Sequence, residues 1–164
     1  MDFTSSIATL HSGQLYRFMD WPVSAVPKHG AGVYTVWDKD GGFLYVGMAG
    51  RFLDEQSVSK LRTDGGPPKG LRDRLGSHAS GRRSGDQFCV YVADALVLPR
   101  LRREEIEEIA SGDLAFDALI RDFVRRNLGF RFVETSSGTD AEELERLVLS
   151  EGLSGVSPLL NSTG

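Results

Sequence analysis

Two neighbouring stretches decide the fold: Gly32-Val33-Tyr34-Thr35-Val36-Trp37 and Phe43-Leu44-Tyr45-Val46-Gly47. The first is short, β-branched and aromatic, and it alternates as a strand does. The second has the same character. Between them lies Asp38-Lys39-Asp40-Gly41-Gly42, a run of turn-forming residues. Together they predict an antiparallel hairpin.

Working outward, residues 1–28 carry little periodic signal and are expected to form a variable N-terminal extension, leaving 29–164 as the domain. Residues 53–70 read as a loop that ends in Asp64-Gly65-Gly66-Pro67-Pro68-Lys69-Gly70. A short helix is predicted from Leu71 to Ala79, stopped by Gly81. Gln87 to Leu98, rich in Val, Phe and Tyr, reads as a further strand ended by Pro99. Two helices fill 100–128, the second marked by Phe116, Leu119, Ile120, Phe123 and Val124 on one face. Phe130 to Thr135 reads as the last strand. A final helix opens on Thr139-Asp140-Ala141-Glu142, a capping box with Thr139 at the N-cap, and fades near Gly152. Strands and helices in this order imply an α/β (α+β) domain.

The chain has 164 residues, enough to bury a core without disulfides, and its single cysteine, Cys89, permits none within the chain. Cys89 reads as a small buried hydrophobe. No run approaches the roughly 20 apolar residues of a membrane helix, and Met1 to Leu10 does not read as a secretion signal. No membrane partner is expected, and the cytoplasm is the default location. The net charge of −4 argues mildly against indiscriminate nucleic-acid binding, but it is unevenly spread. Lys60, Arg62, Lys69, Arg72, Arg74, Arg82 and Arg83 face only Asp64 and Asp73 within 60–83, making that segment +5 and the remainder −9. The segment either tracks phosphates or is a solvated loop and helix surface.

Four features can carry chemistry. Tyr34 and Tyr45 lie on adjoining strands beside glycines, as strand tyrosines often do for packing alone. Arg74 and His78, at i and i+4, share a helix face on the edge of the Leu71–Leu75 stripe; they suit a phosphate ligand and a proton carrier, or a plain surface pair. On the last helix, Ala141, Leu144, Leu147 and Val148 define the apolar sector, and Glu145 falls against it. A carboxylate there needs a partner, either a metal ion or an arginine. Asn161 follows Pro158-Leu159-Leu160 near the end. His11 and His29 read as ordinary polar residues.

Taken in order, these features resemble the GIY-YIG nuclease family. Gly32-Val33-Tyr34 is similar to its first signature triplet and Tyr45-Val46-Gly47 to its second. The Arg74–His78 helix, the Leu144-Glu145 helix and the proline-to-asparagine ending follow in turn, so the resemblance runs from Gly32 to Asn161.

The resemblance implies a small three-stranded, mainly antiparallel sheet flanked by helices. It implies an endonuclease that hydrolyses DNA to a 5′-phosphate and a 3′-hydroxyl, with RNA as an alternative target. Tyr34 would act as base or position the attacking water, and Tyr45 would orient the phosphate or support that water. Arg74 would neutralise phosphoryl charge, His78 would assist proton transfer, and Asn161 would anchor the site. Glu145 would hold one Mg²⁺ or Mn²⁺ beside the leaving 3′-oxygen. Lys60, Arg62, Lys69, Arg72, Arg82 and Arg83 would line the nucleic acid, and a protein partner could supply targeting. The competing expectation is a catalytically silent module that kept the fold and binds nucleic acid or protein.

Overall fold

The hairpin forms where the alternation places it. In the computed structural model, which describes residues 3–161, β2 (His29–Asp38) and β3 (Phe43–Ala49) run antiparallel. The turn between them is closed by the Asp38 carboxylate, which accepts the Asp40 and Gly42 N–H groups at 2.9 and 2.7 Å. On its other side β2 pairs antiparallel, from Ala31 to Asp38, with the whole of β5 (Leu128–Thr135). It is buried from His29 to Trp37, as its nearly unbroken apolar run requires.

Two further strands, β1 (Tyr16–Arg17) beyond β5 and β4 (Lys69–Gly70) parallel to the start of β2, bring the sheet to five strands rather than three. Each is two residues long, too short to show an alternation. The α+β class holds.

Helices cover both faces. On one, α3 (Leu71–Ser80), α4 (Gln87–Val92) and α6 (Phe116–Asn127) bury Leu71, Leu75, Phe88, Ile120 and Val124 against Tyr34, Val36 and Phe130. On the other, α1 (Thr4–Ser12) and α7 (Gly138–Glu151) bury Leu10, Ala141, Leu144 and Val148 against Val33, Val46 and Trp37. α2 (Glu55–Asp64) and α5 (Arg103–Ser111) bury no residue of their own. No helix among the described residues is long and apolar enough to cross a membrane.

Four local expectations are corrected. Residues 3–28 are part of the domain: Leu10, Phe18 and Val26 are fully buried in its two cores, and β1 pairs with β5. The stretch read as a loop contains α2, started by the Asp54 carboxylate on the Ser57 N–H (2.7 Å) and stopped by Gly65 at φ +72.

The stretch read as a strand from Gln87 is α4, continued by π and 3-10 turns to Arg100. Its buried residues, Phe88, Cys89, Val92 and Ala93, recur at helical spacing, and Asp86 caps its start. At α7 the N-cap is Ser137, whose hydroxyl accepts the Asp140 N–H, so Thr139 lies inside the helix.

Candidate active site

In the β2–β3 register Tyr34 faces Gly47, and Tyr45 faces Val36 two residues further along. Side chains two apart on a strand share a face, so both tyrosines rise on the same side, their ring centroids 6.3 Å apart. Gly47 makes this possible. A Cβ on it would lie 2.6 Å from Tyr34 Cζ and 2.9 Å from Tyr45 Cε1.

α3 lies over that face. Leu71, Leu75 and Ala79 are fully buried along its inner side, which brings His78 down beside both rings and leaves Arg74, one turn earlier, exposed. His78 Nε2 is 2.7 Å from the Tyr34 hydroxyl, and its Nδ1 is 2.7 Å from Asp86 Oδ2. An ionised Asp86 can only accept, so Nδ1 carries the proton and Nε2 accepts from Tyr34 O–H. Asp86 also receives the Ser77 hydroxyl at 2.8 Å and the Cys89 N–H at 3.3 Å. The sequence reading missed Asp86; the signal was its position as an N-cap eight residues beyond His78.

Burial sets the ionisation of this chain of groups. It pushes the Tyr34 phenol well above 10, helped by Tyr45 and opposed by Arg74. It pushes Tyr45 up to about 12, with Glu145 and Asp86 adding to the effect. It lowers His78 below 6.5 against the pull of Asp86. For Asp86 burial acts upward, but the hydrogen bonds from His78, Ser77 and Cys89 outweigh it and hold the carboxyl below 3.8. The resting arrangement at neutral pH is therefore phenol, neutral imidazole and carboxylate.

Glu145 reaches the same place from the opposite face of the sheet, around the free edge of β3. Its Oε1 accepts the Met48 N–H at 3.0 Å. Burial raises its pKa, opposed by that N–H and by Arg51. Further along the same edge the Asn161 side chain mimics a strand residue, accepting from Val46 N–H and donating to Val46 C=O, each at 2.7 Å. The backbone of Leu159 and Leu160 donates to the Phe43 and Leu44 carbonyls.

Tyr34, Tyr45, Arg74, His78 and Glu145 thus line one cavity of about 410 Å³, together with Asp86, Gln87, Phe88 and the stretch Gly47 to Phe52. Asn161 does not line it. The expected nucleic-acid residues lie outside it too, and half of them are engaged elsewhere. Arg72 donates to the carbonyls of Val23, Ser24 and Val26. Arg62 bonds Glu134 and the His29 carbonyl, and Arg83 pairs with Asp117 at 2.6 Å over the Phe116 ring. Lys60, Lys69 and Arg82 are exposed, with no side-chain partner among the described residues. His29, read as an ordinary polar residue, is buried and holds the Gly66 and Pro67 carbonyls at 3.2 and 3.0 Å.

A buried group could also hold a metal ion: donor atoms of His78, Asp86 and Cys89 lie within 4.8 Å of one another. Here they serve each other, the Cys89 thiol facing the His78 carbonyl and held protonated by burial. No family model, curated protein or solved structure matches this chain.

Proposed function

We propose that this protein is a metal-dependent endonuclease that hydrolyses a DNA phosphodiester to a 5′-phosphate and a 3′-hydroxyl. One observation carries the reading: Tyr34, Tyr45, Arg74, His78 and Glu145, drawn from β2, β3, α3 and α7, line a single cavity. Phosphodiester hydrolysis needs an activated water, neutralised phosphoryl oxygens and a stabilised leaving oxygen.

A phenol held above its ordinary pKa is a poor source of phenolate, so Tyr34 works as a relay. As water attacks phosphorus, its proton passes to the Tyr34 oxygen while the Tyr34 proton moves to His78 Nε2. Asp86 stabilises the imidazolium that results. Tyr45 orients the phosphate, and Arg74, exposed at the cavity, neutralises its oxygens. Glu145 would hold one Mg²⁺ or Mn²⁺, which would supply positive charge beside the leaving 3′-oxygen. Glu145 suits that ion, since Mg²⁺ keeps most of its waters and takes one or two carboxylates, and only Oε1 is engaged by a hydrogen bond.

The test incubates the protein with plasmid, single-stranded, branched and RNA substrates, without divalent metal and with Mg²⁺ or Mn²⁺. Cleavage in Mn²⁺ that disappears in Glu145→Gln supports the proposal. Binding of DNA without cleavage in either metal overturns it in favour of a silent module, and cleavage of RNA alone corrects the target. Loss through misfolding is controlled for. Glu145 has a folded pKa above its unfolded one, so its ionised form opposes folding as pH rises through the folded value. Glu145→Gln, which keeps an oxygen for Met48 N–H, should be at least as stable at pH 7 as the parent.

A further inference from the structure

One residue at the cavity has no place in this chemistry. Phe52 is 92% exposed, the most exposed of the large apolar side chains among the described residues, yet it lines the same cavity as Arg74 and Tyr45. Arg51 and Phe52 form the corner of a turn closed by Leu53 N–H on the Gly50 carbonyl at 2.8 Å.

The turn is not loose. Gly50 takes φ +80, where a side chain is strained, and a Cβ there would lie 2.8 Å from Ala31 Cα. The Leu53 carbonyl accepts the Gly138 N–H at the start of α7 (2.7 Å), and Arg51 reaches Glu142 on the same helix at 3.7 Å. The base of the turn is pinned to α7 and its aromatic tip stands in solvent.

An apolar ring on a fixed mount at the mouth of a site is preorganised for a flat, apolar ligand face. Beside a guanidinium and a cavity suited to a phosphodiester, the ligand that offers a flat face next to a phosphate is a nucleotide. We propose that Phe52 stacks on an unpaired base adjoining the scissile phosphate, so that the preferred substrate is single-stranded, frayed or branched nucleic acid rather than closed duplex. The inference rests on the nuclease reading for the phosphate's place and deepens it by naming the substrate class. A base inside a closed duplex is already stacked on its neighbours and leaves no face for the ring.

Phe52→Trp places a fluorophore at the rim, read as the difference from the parent, which holds Trp21 and Trp37. The probes, used without divalent metal, are a single-stranded oligonucleotide, the same length with abasic sugars around its centre, and a blunt duplex. Quenching by the first and little by the other two is expected. Phe52→Ala, at an exposed position, should fold normally and lose on the order of tenfold in affinity for the single strand. In Mn²⁺ it should raise KM on single-stranded and branched substrates and leave duplex KM nearly unchanged.

Equal quenching by normal and abasic strands, or a parental substrate preference in Phe52→Ala, overturns the stacking while leaving cleavage by the parent intact. Base-dependent quenching with no cleavage in any metal supports the stacking and removes the nuclease reading alone. Absence of quenching by every oligonucleotide overturns it in favour of a protein partner at Phe52.

Discussion

Asp86 touches neither the proposed phosphate nor the water, yet it decides which nitrogen of His78 can accept a proton. Asp86→Asn can offer an N–H to Nδ1, which leaves the proton on Nε2 and blocks transfer from Tyr34. We expect kcat to fall by about a hundredfold or more with KM little changed, measured on the substrate the parent cuts best. The pH profile checks the same link. Burial lowers His78, so the acid limb of kcat/KM should lie below the ordinary histidine value of about 6.5. The unfolded chain binds the His78 proton more readily, so stability is full above that value and drains as pH falls. An acid limb above it would contradict a neutral, buried His78. At this scale much of the site was legible, because Tyr34, Tyr45, Arg74, His78 and Glu145 each sit on an element whose periodicity could be read. Asp86 was not, since its meaning depends on Gln87 starting a helix, and Phe88-Cys89-Val90-Tyr91-Val92 has the composition of a strand.

Among the elements, β3 shows how the site is braced. Its outer edge would expose N–H and C=O groups, an invitation to pair with another chain, but Leu159, Leu160, Asn161 and Glu145 occupy them. Asn161 therefore has a structural task. Asn161→Ala leaves both Val46 groups unpaired and should cost about 1–3 kcal/mol, seen as a lower urea midpoint at unchanged slope, with cleavage retained in dilute denaturant-free buffer. Lost cleavage at an unchanged midpoint would instead make Asn161 part of the chemistry.

α2, β1 and β4 escaped sequence reading because none carries a buried periodic face. α2 buries none of its residues, so no apolar stripe marks it, and only Asp54 and Gly65 at its ends betray it. β1 and β4 are strands through their partners alone. α3, α6 and α7 were legible because each buries one face, and the hairpin and β5 because they are rich in β-branched and aromatic residues buried in the cores.

For the molecule as a whole, the basic segment divides by what its side chains already hold. Arg72 fastens α3 to the chain before β2, so Arg72→Ala should lower stability and leave DNA contacts intact. Lys60, Lys69 and Arg82 have no side-chain partner among the described residues, and replacing all three with alanine should weaken DNA binding and flatten its salt dependence by about 0.9 per lost contact on a log–log plot. Unchanged affinity in a salt titration would move the footprint elsewhere. Glu145 comes round the β3 edge from one face of the sheet to the other, and the Met48 amide stands at that junction. Its proton resonance will follow whatever happens to the carboxylate it serves. It should shift once as Glu145 titrates, at a pH above the ordinary glutamate value, and again on addition of Mg²⁺ alone. One backbone signal thus reads the charge state of the proposed metal ligand before any substrate is chosen.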